Sequence, residues 1–224
     1  MTLIWVKTAR NAVCESSRNT QDRSVSAYDI AAATIRKEHH SLAVVLDVLQ
    51  RLLEDIERRE AAPDFELFAA VLYYIDDFPE RCHHPKEDEY WFGTLRRRTS
   101  AFDAMLDALQ ADHLRSAWMM TALQRALVHY QAGAADGRAR FTEAVNAYAV
   151  LLREHMRAEE RLLERTAQCL AENDWRAIAA AFEANDDPLF GANGREEFRR
   201  LFFRIVNRLP RKLRLNVQRD TQDA

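Results

Sequence analysis

Apolar residues recur every three or four positions along most of the chain, which is the spacing of one face of an α-helix. The first run extends from Tyr28 to Ile56 and stops before Pro63. Three more runs occupy about residues 64–97, 101–131 and 138–171. Short connections join antiparallel neighbours in helical bundles. The pattern therefore predicts an all-α fold, an up-down-up-down four-helix bundle. Because Pro79 and Pro85 lie inside the second run, we expect a kink there.

The ends of the chain lack the regular spacing of the bundle, which we place at residues 27–172. Residues 1–26 are polar and without a period, and we expect a flexible N-terminal extension. Residues 173–224 form a C-terminal extension with additional short helices, one reaching about Ala184 and one spanning about residues 195–207.

The segment from 195 to 219 is strongly basic, with nine Lys or Arg residues against Glu196 and Glu197. It is consistent with a helix that packs an apolar face on the bundle and exposes a basic face. Binding of an acidic partner, a membrane surface or nucleic acid is the less common alternative. The basic residues are Arg195, Arg199, Arg200, Arg204, Arg208, Arg211, Lys212, Arg214 and Arg219.

Composition narrows the class of protein. Only 5 Gly and 5 Pro occur in 224 residues, too few for a fold of many short strands and turns. The net charge of −3 gives no overall attraction to nucleic acid or to an anionic membrane, so we expect neither as a partner. The three cysteines are far apart and predict neither a disulfide framework nor a thiolate zinc site. Together with an apolar N-terminal run too short for a signal peptide, this favours the cytoplasm.

Each predicted long helix carries a histidine on its apolar face, and two of them add a glutamate four residues later. Residues four apart share one helix face. In the up-down-up-down order these side chains fall in one layer, about 9 Å thick. They are His39, His83, Glu87, His113, His155 and Glu159.

Two carboxylates buried in a helical core need compensation, because an unpaired buried charge costs several kcal/mol. A metal ion provides it, and the nitrogen and oxygen donors suit iron, manganese or zinc. Two carboxylates that bridge would hold two ions about 3.5 Å apart. The sequence therefore predicts a two-metal site.

These residues resemble the hemerythrin-like, His-His-Glu cation-binding domains, over about residues 27–172. The resemblance implies a non-haem di-iron centre held by the six side chains above, with O₂ or NO as ligand, or a role in iron handling and redox or stress sensing. It rests on Glu38-His39, His83-His84-Pro85-Lys86-Glu87-Asp88-Glu89, Asp112-His113 and His155-Met156-Arg157-Ala158-Glu159-Glu160.

The chain departs from the oxygen carriers of that family at two positions. The carriers have a second histidine one turn after the third-helix ligand, where this chain has Ala117. We therefore expect an additional open coordination position, which favours a redox-active or NO-reactive site over reversible oxygen carriage. The carriers also place the fourth-helix acid at the position of Glu160, and we favour Glu159 because it stays on the apolar face.

Three other histidines fall outside the predicted layer. His84 lies one residue out of register with His83, and we expect it to be an outer partner or solvated. His40 is one step off the apolar face, and His129 is too far along its helix. Tyr148 lies on the same face as His155 and is a candidate hydrogen-bond donor to a bound ligand.

Three functions follow from this site. We favour a di-iron protein that binds or senses O₂ or NO, or handles iron under redox stress, with manganese or zinc as alternative metals. A di-iron enzyme, such as a peroxide or nitric oxide reductase or an iron donor for cluster repair, would use the same site. A metal-free helical interaction module would use the basic C-terminal segment instead.

Overall fold

The computed structural model describes residues 25–59, 62–185, 187, 189, 201, 203, 204 and 207. Residues 1–24 of the predicted N-terminal extension and nearly all of the basic C-terminal segment lie outside these residues. Within them the chain forms helices and turns, without a strand.

Four long helices form the bundle. Helix α1 is Ala27–Arg59, α3 is Asp103–Gln131 and α4 is Gly137–Thr166. Helix α2 is a composite that begins at Phe65, with Asp64 as its N-cap: the Asp64 carboxylate accepts a hydrogen bond of 3.0 Å from the Leu67 N–H. Its α-helical segments are Phe65–Ile75, His84–Lys86 and Gly93–Arg98.

The two remaining segments of α2, Asp76–His83 and Glu87–Phe92, are π-helical. They lie where the sequence predicts a kink. Pro79 is inside the first of them and has no N–H to donate, and the wider π turn accommodates it without ending the helix. The chain therefore continues to Arg98, but with more residues per turn than an α-helix has.

The hydrophobic core consists of two clusters on either side of a polar layer. The first cluster joins the C-terminal half of α1 to the N-terminal half of α2, through residues such as Leu49 and Leu72. The second joins the opposite halves, through residues such as Ile35 and Trp91. This pairing shows that α1 and α2 run antiparallel, and the same division of α3 and α4 between the clusters confirms the predicted helical bundle.

A fifth helix, α5 (Glu172–Glu183), lies against α1. Its apolar face contributes Trp175, Ile178 and Phe182 to the second core cluster. The Tyr28 and Trp175 rings meet edge to face with centroids 5.0 Å apart. The short amphipathic run that follows the bundle is therefore packed on it.

None of the helices in the described ranges has the length and apolar content needed to cross a bilayer.

Candidate metal centre

Seven nitrogen and oxygen donors from all four bundle helices meet in the polar layer between the two core clusters. Each residue is at most 7% exposed. Helix α1 supplies one histidine, α2 two histidines and a glutamate, α3 one histidine, and α4 a histidine and a glutamate. The residues are His39, His83, His84, Glu87, His113, His155 and Glu159.

The donors divide into two groups in which all ligand atoms lie within 4.8 Å of one another. The first group contains His39, His83, Glu87 and Glu159, and the second contains His84, Glu87, His113 and His155. Glu87 belongs to both, so its carboxylate lies between them.

Distances within the first group place two imidazoles against two carboxylates. Nε2 of His83 is 3.2 Å from Oε1 of Glu87. Nε2 of His39 is 3.6 Å from that same oxygen and 3.3 Å from Oε2 of Glu159. The ring nitrogens and the carboxylate oxygens therefore converge on a common space.

The second group is equally close. Nε2 of His113 lies 3.0 Å from Nε2 of His155 and 3.4 Å from Oε2 of Glu87. The His84 ring stacks on His113 with centroids 4.4 Å apart. Oε1 of Glu159 lies 3.0 Å from Nε2 of His155, so Glu159, like Glu87, faces imidazoles of both groups.

The two glutamates have buried oxygen atoms with no hydrogen-bond partner in the described part of the chain. This holds for both oxygens of Glu87 and both of Glu159. Buried carboxylate oxygens are nearly always paired, because leaving one unpaired costs free energy. The donor set therefore fits a bound cation, which would satisfy all four atoms.

A carboxylate lies within 3.8 Å of the outer nitrogen, Nδ1, of each of the five imidazoles, and two of the five are hydrogen-bonded to it. Glu38 lies 2.6 Å from Nδ1 of His83, and Asp88 lies 3.2 Å from Nδ1 of His113. The other three distances are longer: Glu80 to His84 3.5 Å, Asp112 to His155 3.8 Å and Glu160 to His39 3.8 Å. A carboxylate on the outer nitrogen orients a ligating histidine and directs its other nitrogen to the metal.

Protonation balances the buried charge when no metal is present. Burial disfavours the charged form of His83, but Glu87 and Glu38 raise its pKa to about 9. In the same way, Asp88, Glu159 and Glu87 overcome burial and raise the pKa of His113 to about 12. Burial also disfavours the charged form of His39, but Glu159, Glu160 and Glu87 outweigh it and raise the pKa of His39 well above its usual value.

The glutamates show the complementary effect. Burial raises the pKa of Glu87, but His83 and His113 outweigh it and hold the pKa well below the usual range. Burial and the charge of Glu87 raise the pKa of Glu159. The imidazoles of His155 and His113 have the larger effect, so the pKa of Glu159 is lowered overall. The layer is therefore built for ionised carboxylates, and metal ions would replace protons on the imidazoles.

A comparison with protein families identifies the arrangement. The model of the hemerythrin HHE cation-binding domain matches residues 31–167, more than half of the chain. The chain belongs to the hemerythrin family. Searches of curated proteins and of solved structures found no match. The predicted resemblance is thus confirmed: the family is one of cation-binding domains, and this chain has two groups of side chains that could hold a metal ion.

All six side chains that the sequence predicts as ligands lie in the layer of this hemerythrin-family chain. Glu159 is fully buried, whereas the side chain of Glu160 is 46% exposed and lies at the edge. His40 is exposed. His129 lies on the outside of α3, 2.8 Å from Asp136.

His84 is the donor that sequence reasoning places outside the layer. On an α-helix, neighbouring residues point about 100° apart, so His83 and His84 do not share a face. The first π-helical segment ends at His83 and the second begins at Glu87; their wider turns allow both rings to lie in the core, together with Glu87. Two prolines within seven residues were the signal for this irregular geometry. His84 also supplies an imidazole beside His113, where the sequence, with Ala117 in place of a histidine, predicts an open position.

Tyr148 does not reach the donors directly. Its hydroxyl donates a hydrogen bond of 2.7 Å to Glu80, and the Ser116 hydroxyl donates to the same carboxylate at 2.8 Å. Burial and the charge of Glu80 raise the pKa of Tyr148 well above its usual value, so the phenol stays protonated. Tyr148 and Ser116 thereby fix the carboxylate that faces His84.

Proposed function

We propose that this protein holds a non-haem di-iron centre in the two donor groups and uses it to bind or sense O₂ or NO, or to handle iron under redox stress. The observation that carries the proposal is the pair of donor groups sharing Glu87, with four carboxylate oxygens that lack hydrogen bonds. Family membership supports cation binding.

The donor inventory supports iron. Imidazole suits iron and zinc, whereas manganese prefers oxygen donors, and five imidazoles accompany two carboxylates here. Zinc and manganese remain the alternatives that metal analysis separates. When bound, iron supplies one-electron chemistry and affinity for small diatomic molecules.

The residues of this chain divide the work. Glu87 and Glu159 each face both groups and would hold both ions. His39 and His83 would complete one group, and His84, His113 and His155 the other. The two core clusters enclose the layer and exclude bulk water, which favours a ligand as small as O₂ or NO over a larger substrate.

The metal-free interaction module is the less well supported function. It would leave the oxygens of Glu87 and Glu159 without hydrogen bonds in a layer that is almost fully buried. The cytoplasm stays our proposed compartment, because it keeps iron and scattered thiols reduced.

The ligand is tested on the iron-loaded protein. One sample is titrated with NO in the absence of oxygen, and a second sample is titrated with O₂. We expect a saturable change of the visible spectrum with either ligand, and no change in an iron-incubated Glu87→Ala variant. A spectrum that neither ligand alters would overturn the proposed ligand. Continuous consumption of NO or of added peroxide beyond one equivalent per centre would instead assign the enzyme alternative.

A further inference from the structure

The C-terminal helix α5 reaches the metal layer although it lies beyond the residues that the family model matches, 31–167. At its start, Glu172 accepts a hydrogen bond of 3.3 Å from the Ala27 N–H of α1. Near its end, the Lys86 ammonium donates a hydrogen bond of 2.7 Å to the Ala181 carbonyl oxygen. Helix α5 is therefore tied to α1 and to the short α-helical segment His84–Lys86 of α2.

The end of α5 makes direct contact with the surroundings of one predicted ligand. The Phe182 ring stands edge to face against the His83 ring, with centroids 5.8 Å apart. Just beyond the helix, the Asn185 amide donates to both carboxylate oxygens of Glu38 at 3.0 Å. Glu38 in turn lies 2.6 Å from Nδ1 of His83. One hydrogen-bonded chain thus connects the C-terminal extension to a donor of the first group.

The hydrogen bonds from Asn185 to Glu38 and from His83 to Glu38 fix the orientation of the His83 ring. Because Glu38 accepts from Nδ1, it selects the tautomer in which Nε2 is free to bind a cation, and Nε2 points to Glu87 at 3.2 Å. Glu38 is itself only 6% exposed, so it depends on protein donors, and Asn185 supplies them.

A second contact fixes Asp187, two residues after Asn185. The Tyr74 hydroxyl of α2 donates a hydrogen bond of 3.1 Å to the buried carboxylate of Asp187. The same carboxylate accepts a hydrogen bond of 2.9 Å from the Leu189 N–H. Asn185 is therefore held between two anchored stretches, α5 before it and Asp187 after it.

We propose that Asn185 and Glu38 are positioning residues for the first donor group, and that docking of α5 is thereby coupled to metal binding there. The proposal rests on the di-iron function proposed above. Coupling between two sites is reciprocal. Metal binding stabilises the docked α5, and loss of the Asn185 contact weakens metal binding in the group that contains His39 and His83.

The test compares Asn185→Ala and Glu38→Gln with Asn185→Gln, which keeps an amide, and with Arg176→Ala on the exposed face of α5. After iron loading, release of iron to an excess of chelator is followed in time. We expect Glu38→Gln to release one of the two ions about 10–100-fold faster than the wild type. Asn185→Ala should change the rate in the same direction, Asn185→Gln should restore it in part, and Arg176→Ala should match the wild type.

Hydrogen exchange gives the second readout, which depends on coupling and not on folding alone. Iron loading should slow exchange of the amides of α5 in the wild type and in Arg176→Ala, and should leave it unchanged in Asn185→Ala. Equal release rates in Asn185→Ala, Glu38→Gln and wild type would overturn the inference while leaving the di-iron function intact. A wild type that binds no metal would overturn the di-iron function and this inference with it.

Discussion

At the scale of single residues, His84 changes the composition of the proposed centre from six donors to seven. Its ring is buried and stacks on His113, and its Nδ1 faces Glu80. Burial lowers the pKa of His84 and the charge of His113 lowers it further, against the opposing effect of Glu80. A neutral imidazole is the form that binds a metal. The lowered pKa and the buried position of His84 therefore suit it to coordination.

We predict that His84→Ala weakens binding of the metal ion in the second donor group and leaves the affinity of the first group unchanged. The loss should exceed the about 10–100-fold that removal of an outer partner of a ligand typically costs. Competition with a chelator, followed by metal analysis, measures it. His40→Ala is the matched control, since His40 is exposed on α1 and should have no effect. Equal metal affinities for the two variants would contradict a ligand role for His84.

Tyr148→Phe tests the network behind His84. The substitution removes a buried hydroxyl that donates at 2.7 Å to the Glu80 carboxylate. Hydrogen bonds to charged groups contribute about 1.5–3 kcal/mol, so the free energy of unfolding in urea should fall by roughly that amount. The control is Tyr130→Phe, whose ring packs edge-on against Phe65. A loss for Tyr148→Phe no larger than for Tyr130→Phe would show that the network contributes nothing to stability.

At the scale of elements, the sequence predicts regular helices well and irregular ones poorly. The predicted bounds of the first helix lie within a few residues of Ala27–Arg59, and those of the third lie within about two residues of Asp103–Gln131. A sustained apolar period marks both helices. Prolines signal that α2 is irregular, but not which wider turn the chain adopts. That choice depends on packing of the whole bundle, and it decides whether His84 faces the core.

The turn between α3 and α4 gives a prediction about two glycines. A Cβ added at Gly137 would lie 2.6 Å from the Tyr130 Cα, and backbone atoms cannot move easily to relieve such a contact. A Cβ added at Gly133 would meet open space, but the φ of that residue is +79°. Overpacking costs about 1–3 kcal/mol or more, and a left-handed residue other than glycine costs about 1–2 kcal/mol.

We therefore expect Gly137→Ala to lower the free energy of unfolding more than Gly133→Ala, with metal content unchanged in both. Thermal or urea unfolding of the two variants measures the order. A larger loss for Gly133→Ala would contradict the close approach of α3 and α4 at this turn.

At the scale of the whole molecule, the sequence predicts the layer of donors but not the part that α5 plays. Each helix shows its own histidine, and the count along antiparallel helices places them at one level. The amphipathic pattern after residue 172 predicts a helix with one buried face, but it does not specify the surface against which that face packs. Nothing local in it specifies α1 as the neighbour or Glu38 as the partner of Asn185, because such contacts depend on residues more than a hundred positions away.

Stability of the metal-free protein should depend on pH. The folded protein raises the pKa of His83 from 6.5 to about 9. A raised histidine pKa stabilises the fold fully below pH 6.5, and that stabilisation is lost as the pH rises through about 9. The free energy of unfolding should therefore fall between about pH 6.5 and 9, by on the order of 3 kcal/mol for His83 alone.

Metal-loaded protein should lack this fall, because metal ions replace the protons on the imidazoles. Urea unfolding of both forms at pH 6.5 and pH 9 makes the comparison. A metal-free protein that becomes more stable over this range would contradict the charge balance described for the layer.

The most direct test of the central claim is the number of iron ions bound per chain after anaerobic reconstitution and removal of excess metal. Glu87→Ala removes the carboxylate shared by both groups, and Glu89→Ala removes an exposed glutamate of the same helix. We predict two ions for the wild type and for Glu89→Ala, and less than one for Glu87→Ala. A wild type that retains less than half an ion per chain, or a Glu87→Ala variant that retains two, would contradict a di-iron centre built on this layer.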